Sequence, residues 1–173
     1  MTIHTEHPFL DPSDAVRRFR GRLGGAVTLW TSGDATAGGR RAGLTVSSLM
    51  VAGGEPGRVL ALLDPDADLR DLLGETGRAV VQLLQWEHRD LAEAFAGQFP
   101  APGGAFRMGE WEQTDHGPRL VSALTWVTVA VESFESVGWS DLVTASIVEV
   151  VLGEDGEPLQ HRRGRYPRPP EGG

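Results

Sequence analysis

The hexapeptide Gly43-Leu44-Thr45-Val46-Ser47-Ser48 is the part of this sequence best suited to bind an anion. Its three hydroxyl groups can donate hydrogen bonds, and a strand that turns at Ser47 and Ser48 exposes backbone N–H groups as well. In an extended strand Thr45 and Ser47 lie on one side, and Val46 and Ser48 lie on the other. The segment therefore indicates a phosphate site at a strand end, although a serine-rich turn without any ligand has the same composition.

The residue types that are missing exclude several classes of chemistry. There is no Cys, and all 16 basic residues are Arg. Thiol nucleophiles, disulfides, iron–sulfur clusters, P-loops and Schiff-base lysines are thereby excluded. The sequence also lacks the G-x-S-x-G, H-E-x-x-H and G-x-G-x-x-G patterns. We therefore expect no catalytic side chain and no metal site, which leaves chemistry by a bound organic cofactor, or binding alone.

Charge and hydropathy limit the partners of the chain. The formal net charge of −8 argues against nucleic acid, and no stretch approaches the roughly 20 apolar residues of a membrane span. Residues 1–10 lack the apolar core of a signal peptide, which predicts a cytoplasmic protein. The length of 173 residues favours one domain over 1–173, with 1–10 and 167–173 as flexible tails.

The chain has the composition of a turn-rich β protein, with 23 Gly and 11 Pro. Asp11 and Pro12 predict the start of a helix that ends at Gly24, and Val16, Phe19 and Leu23 form its apolar stripe. A second short helix is predicted to begin at Asp64-Pro65-Asp66 and to end near Gly74 or Gly77, and a third is predicted over 88–96. Strands are predicted over 26–31, 41–51, 59–63, 78–84, 110–115, 120–131, 142–152 and 159–166. The predicted fold is mainly β, a small barrel with short helical insertions.

Several segments, taken in order, resemble one known family. They are Ala26-Val27-Thr28, the 43–48 segment, the strand 77–84, Phe95-Ala96-Gly97, and Arg163-Gly164-Arg165-Tyr166. Over about 11–166 the sequence is similar to the flavin reductase-like family of FMN-binding split β-barrels. This family supplies the reductase components of two-component flavin monooxygenases.

The resemblance implies an antiparallel split β-barrel that forms a homodimer and binds FMN. FAD or another flavin could take the place of FMN. NAD(P)H would reduce the flavin by direct hydride transfer, for which no protein acid or base is needed, and a monooxygenase would be the partner protein. The phosphate is expected near the hydroxyls of the 43–48 segment, with the ring beside the same strand. The cofactor-binding residues implied in this way are Thr45, Val46, Ser47, Ser48, Leu49, Gln82, His161 and Arg162.

Two departures from the family pattern keep alternatives open. The sequence has Gly138-Trp139-Ser140-Asp141 where the family often has Gly-Asp-His, and Asp64, Asp66 and Asp68 follow the apolar strand that ends at Leu63. One alternative is a split-barrel protein that binds flavin, or a related ligand, without turnover. Another is a split-barrel oxidoreductase that uses a different flavin or a deazaflavin.

Overall fold

The computed structural model of the protein describes residues 12–36, 38–97 and 101–171. Most of this part is β-structure with short helices inserted between strands. The helices are α1 Pro12–Leu23, α2 Asp68–Thr76 and α3 Arg89–Phe95. The strands are β1 Gly25–Ala26, β2 Thr28–Gly33, β3 Arg41–Val46, β4 Met50–Ala52, β5 Arg58–Leu63, β6 Arg78–Leu83, β7 Trp111–Thr114, β8 Gly117–Leu120, β9 Trp126–Val137, β10 Ser140–Val151 and β11 Gln160–His161.

Seven strands form one antiparallel sheet in the order β3-β2-β6-β9-β10-β5-β4. The strands at its two edges, β3 and β4, are consecutive in the chain and are joined by residues 47–49 alone. The two edges of the sheet must therefore meet at 47–49, which curls the sheet into a barrel. The other strands form two small antiparallel pairs, β1 with β11 and β7 with β8.

Apolar side chains fill both faces of the middle of the sheet. Trp30, Val46 and Leu63 belong to the cluster inside the barrel, which α2 covers with Leu69, Leu72 and Leu73. A second cluster lies on the outer face, where Leu29 and Leu84 pack beneath α3 and the β7–β8 pair. Residues on both faces of β2 and β6 are buried, so neither strand shows the alternation of apolar and polar residues that a half-exposed strand has.

The predicted fold class, mainly β with short α insertions, is confirmed, and the helix over 12–23 has the predicted bounds. Some strand predictions were wrong in extent. The segment predicted over 41–51 is two strands, β3 and β4, which pair with different neighbours. The segment predicted over 120–131 begins as a long strand only at Trp126, because β8 ends at Leu120 and a turn intervenes. The last predicted strand, 159–166, is reduced to Gln160–His161.

Parts of the sequence predictions lie outside the described residues. These are the tail over 1–10, the Asp11 helix cap and residues 172–173. Residues 167–171 form neither helix nor strand. None of the helices in the described part of the chain has the length and apolarity needed to cross a bilayer.

Candidate functional site

The three residues 47–49, called here the 47–49 corner, form an open loop where the two edges of the sheet meet. The backbone N–H groups of Ser47, Ser48 and Leu49 donate no backbone hydrogen bond to any residue that the structure describes. Successive unpaired amides are the feature that proteins use to hold phosphate oxygens. The corner can therefore bind an anion through its backbone.

The three predicted hydroxyl ligands have different surroundings. The Thr45 hydroxyl donates to the carbonyl of Ala92 in α3 at 2.6 Å, which ties β3 to that helix. The Ser48 hydroxyl lies 3.0 Å from both the N–H and the carbonyl of Leu62, and so connects the corner to β5. Ser47 is exposed, and its hydroxyl bonds to none of the described residues. Ser47 is thus the one hydroxyl of the three that is free to donate to a ligand.

His161 and Arg162 reach the corner through the β1–β11 pair. Gly25 lies opposite His161 in that pair, and a Cβ built on Gly25 would stand 2.8 Å from the carbonyl oxygen of Ser47. Only glycine permits so close an approach, so the sequence Gly24-Gly25 does more than end the first helix. The Arg162 Nε lies 3.4 Å from the Arg22 carbonyl, and the side chain is otherwise exposed. The β1–β11 pair therefore brings the backbone at His161 close to the corner.

Tyr166 lies beside His161, and Glu93 lies beside Tyr166. The sequence analysis assigned neither Tyr166 nor Glu93 to the site. The rings of His161 and Tyr166 meet edge to face with centroids 5.6 Å apart. Burial, and then the nearby Glu93 carboxylate that hydrogen bonds to the phenol, raise the pKa of Tyr166. Tyr166 therefore stays protonated and links the C-terminal segment to α3. The family pattern Arg-Gly-Arg-Tyr was the one signal that could have pointed to it.

The remaining predicted site residues, Val46, Leu49 and Gln82, belong to the core or pack against it. Val46 is buried in the barrel interior, and Leu49 packs against the same cluster. Gln82 is fully buried: its amide nitrogen donates to the Leu29 carbonyl at 3.2 Å and to the Thr31 hydroxyl at 3.1 Å. The Gln82 carbonyl accepts the N–H of Leu120. With its donors and acceptor occupied, Gln82 holds β8 against the sheet.

Acidic residues after Leu63 and in the β9–β10 hairpin take part in local structure. The Asp64 carboxylate accepts the N–H of Asp66 at 2.9 Å and closes a turn. Asp68 begins α2, where a carboxylate stabilises the helix dipole. Asp141 forms a 2.6 Å ion pair with Arg70. Asp64 therefore belongs to a turn, Asp68 to the start of α2 and Asp141 to the β9–β10 hairpin.

Comparison with known proteins agrees with this architecture. Residues 20–170 match the family described as Flavin reductase like domain. The chain belongs to this family. The predicted split β-barrel is confirmed by solved flavin reductases that share the fold. One of them, the NADH:FAD oxidoreductase SgcE6 of Streptomyces globisporus C-1027 in complex with NAD and FAD fragments, superposes with a TM-score of 0.80. It is 21% identical, and the match covers 93% of this chain and 96% of that chain.

Curated relatives of the family match along most of their length. The FMN reductase (NADH) RutF of Serratia proteamaculans is 26% identical over 162 residues, 93% of this chain and 90% of the relative. The 4-hydroxyphenylacetate 3-monooxygenase reductase component of Pseudomonas aeruginosa is 24% identical over 153 residues, 87% and 88% of the two chains.

Proposed function

We propose that this protein is an NAD(P)H-dependent flavin reductase that binds FMN at the 47–49 corner. The observation that carries this proposal is the set of three amides at the corner that donate no backbone hydrogen bond to any described residue, in a chain that belongs to the flavin reductase family. The relatives are named as reductases of FMN or as reductase components of monooxygenases, which supports the same reaction here.

The residues around the corner suit a flavin mononucleotide. The amides of 47–49 and the Ser47 hydroxyl would hold the phosphate oxygens, and the guanidinium of Arg162 would neutralise their charge. The His161–Tyr166 pair on one side and the Thr45 segment of β3 on the other would border the ring. Bound flavin supplies the hydride acceptor, so the protein needs no acid or base for that step. The protein's own residues would bind the flavin, orient its ring and exclude water.

Other features of the proposed protein are carried over from the family. We propose FMN as the preferred flavin with FAD as the comparison, since the relatives include reductases of both. A monooxygenase would consume the reduced flavin. We also propose that 1–173 is one domain, that the chain acts as a homodimer, and that it works in the cytoplasm.

A titration with FMN, followed by reduction, tests the proposal directly. Quenching of tryptophan fluorescence should give saturable binding, and anaerobic NADH or NADPH should then bleach the flavin absorbance. Arg162→Ala should weaken FMN binding several-fold, because the phosphate loses the positive charge proposed to neutralise it. Arg168→Ala, a change at an exposed arginine outside the site, is the control. Failure to bind FMN, FAD or a deazaflavin would refute the proposal.

A second candidate is a flavin-binding protein without turnover, and the β9–β10 hairpin favours it. Trp139 occupies the hairpin tip, where it is 86% exposed, and no histidine lies in the hairpin. The nearby carboxylate of Asp141 is held by Arg70, whose guanidinium also stacks 3.6 Å above the Phe134 ring. Steady oxidation of NADH or NADPH with added flavin, above the uncatalysed rate, would exclude this candidate.

A further inference from the structure

A polar cavity, called here the turn cavity, lies at the end of the barrel away from the 47–49 corner. Its volume is about 290 Å³, and it opens between the β2–β3 turn, the start of β6 and the β7–β8 turn. In the β2–β3 pair, Thr28 faces Val46 near the corner, and Gly33 faces Arg41 beside the cavity. Five residue steps along β2 correspond to about 17 Å, and none of the residues that line the cavity belongs to the corner.

Hydrogen bonds between the surrounding elements hold the walls of the turn cavity. The Gln113 side-chain nitrogen donates to the Gly33 and Thr114 carbonyls, each at 2.9 Å, and so joins β7 to the end of β2. The Thr76 hydroxyl, at the end of α2, lies 2.8 Å from the Ser32 hydroxyl in β2. The three walls are thus fixed to one another by the fold itself, as they are in most preformed ligand sites.

Side chains of opposite charge line this cavity without neutralising each other. Arg78 supplies a guanidinium, Asp34 and Asp115 supply carboxylates, and His116 adds an imidazole. The hydroxyl and the N–H of Thr36 both donate to Asp34 and lower the pKa of its carboxyl, which therefore stays ionised. None of the four lining residues forms an ion pair with a residue that the structure describes.

The side chains of Arg78 and His116 are available to a ligand. Within the described residues, the hydrogen bonds of Arg78 involve its backbone carbonyl and N–H, and that of His116 involves its backbone N–H. The guanidinium and the imidazole therefore keep their hydrogen-bonding capacity. A guanidinium alone offers five N–H donors in a planar arrangement that suits a carboxylate.

The charges of the turn cavity select the class of ligand. A simple anion would be attracted by Arg78 but repelled by Asp34 and Asp115, and a simple amine would be attracted by the carboxylates but repelled by Arg78. A molecule that carries both charges satisfies both kinds of group at once. The volume lies just below the range of about 300–1,000 Å³ that is usual for ligand pockets, and no lining side chain is apolar. The ligand is therefore small and polar.

We propose that the turn cavity binds a small zwitterion, an α-amino acid with a short polar side chain. The guanidinium of Arg78 pairs with the carboxylate of the ligand, and Asp34 and Asp115 accept hydrogen bonds from its ammonium group. The side-chain oxygen of Gln113 accepts a hydrogen bond from its polar side chain. Because the ligand would connect β2, β6 and the β7–β8 turn in the folded chain alone, its binding also stabilises the fold.

L-Serine and two related molecules that each lack one of its charges test the proposal directly. Ethanolamine lacks the carboxylate, and glycerate has a hydroxyl in place of the ammonium group. The wild-type chain should bind L-serine saturably, with a dissociation constant at or below about 1 mM, and should bind the other two at least ten-fold more weakly. Amide chemical shifts in a titration followed by NMR measure all three affinities. No saturable binding of L-serine would overturn the proposal, and so would equal binding of glycerate or of ethanolamine.

Substitution of each charged group tests its assigned partner. Arg78→Gln should weaken L-serine binding at least ten-fold and should leave ethanolamine binding unchanged or tighter, because a like charge is removed. Asp115→Asn should weaken L-serine binding several-fold and should leave glycerate binding unchanged or tighter. Arg107→Gln, a change at an exposed arginine outside the cavity, is the matched control and should bind L-serine as the wild type does. Urea denaturation shows that each variant is folded, and a folded Arg78→Gln variant with wild-type affinity for L-serine would overturn the proposal.

Discussion

At the scale of single residues, the adjacent serines of the corner separate ligand binding from stability. Ser47→Ala should weaken FMN binding about 5- to 10-fold, because one hydrogen bond to a charged group is lost, and should leave the unfolding midpoint unchanged. Ser48→Ala should lower the free energy of unfolding by about 1 kcal/mol, since Leu62 loses a partner for both its N–H and its carbonyl. Titration with FMN measures the affinity of both variants, and urea denaturation measures their free energy of unfolding. Weaker FMN binding in Ser48→Ala, with unchanged binding in Ser47→Ala, would place the phosphate at Ser48.

His88 should make the stability of the fold depend on pH. Its Nδ1 accepts the N–H of Gln85, and its Nε2 lies 3.0 Å from the Ser122 hydroxyl, so the folded ring is neutral. Burial lowers the pKa of His88 below 6.5, although the Glu87 carboxylate raises it in part. The unfolded chain therefore takes up this proton at a higher pH than the folded chain does.

The free energy of unfolding should consequently fall as the pH drops below about 6.5. His88→Gln should flatten this dependence, because the titrating group is gone. Glu87→Gln should extend the loss to lower pH, since the folded pKa falls further. Urea denaturation across the range from neutral to mildly acidic pH checks both variants. An unchanged pH profile in His88→Gln would show that other groups cause the dependence.

At the scale of elements, the β1–β11 pair should control the shape of the corner. Gly25→Ala places a methyl group 2.8 Å from the Ser47 carbonyl, so either β1 or the corner must shift. FMN binding should weaken at least several-fold. Gly74→Ala is the matched control: its methyl group would lie 3.4 Å from Nη1 of Arg70, close to an ordinary contact, and it should stabilise α2 by about 0.5–1 kcal/mol. Normal affinity in Gly25→Ala would mean that the site lies away from this pair.

The helices and strands also show how much of the fold could be predicted from the sequence. Helix α1 and the strands predicted over 59–63 and 78–84 were correctly placed because glycines and runs of apolar residues are local signals. The division of 41–51 into β3 and β4 was missed, since both halves are β-prone and only pairing with different strands separates them. Gln82 was assigned to the flavin by its place in the family pattern, and the sequence could not show its three hydrogen-bond partners, which lie in distant β2 and β8. Likewise, periodicity located the apolar stripe of α1 but could not show that the chain leaves this stripe exposed.

At the scale of the whole molecule, the proposed homodimer and the proposed flavin site should be linked. If the dimer completes the site by fixing Arg162, FMN binds the dimer more tightly than the single chain. Because each dimer binds two FMN molecules, linkage then requires saturating FMN to strengthen dimerisation by the square of that factor. Dilution of the protein should therefore weaken the apparent affinity for FMN.

Sedimentation of the wild-type chain, with and without saturating FMN, measures one side of this linkage. Flavin titrations at protein concentrations below and above the dimer dissociation constant measure the other. The factor for dimerisation should be the square of the factor for FMN affinity, and both effects should vanish in a variant that cannot dimerise. A dimer whose dissociation constant is unchanged by FMN would mean that each chain holds a complete site, with Arg162 positioned by its own fold alone.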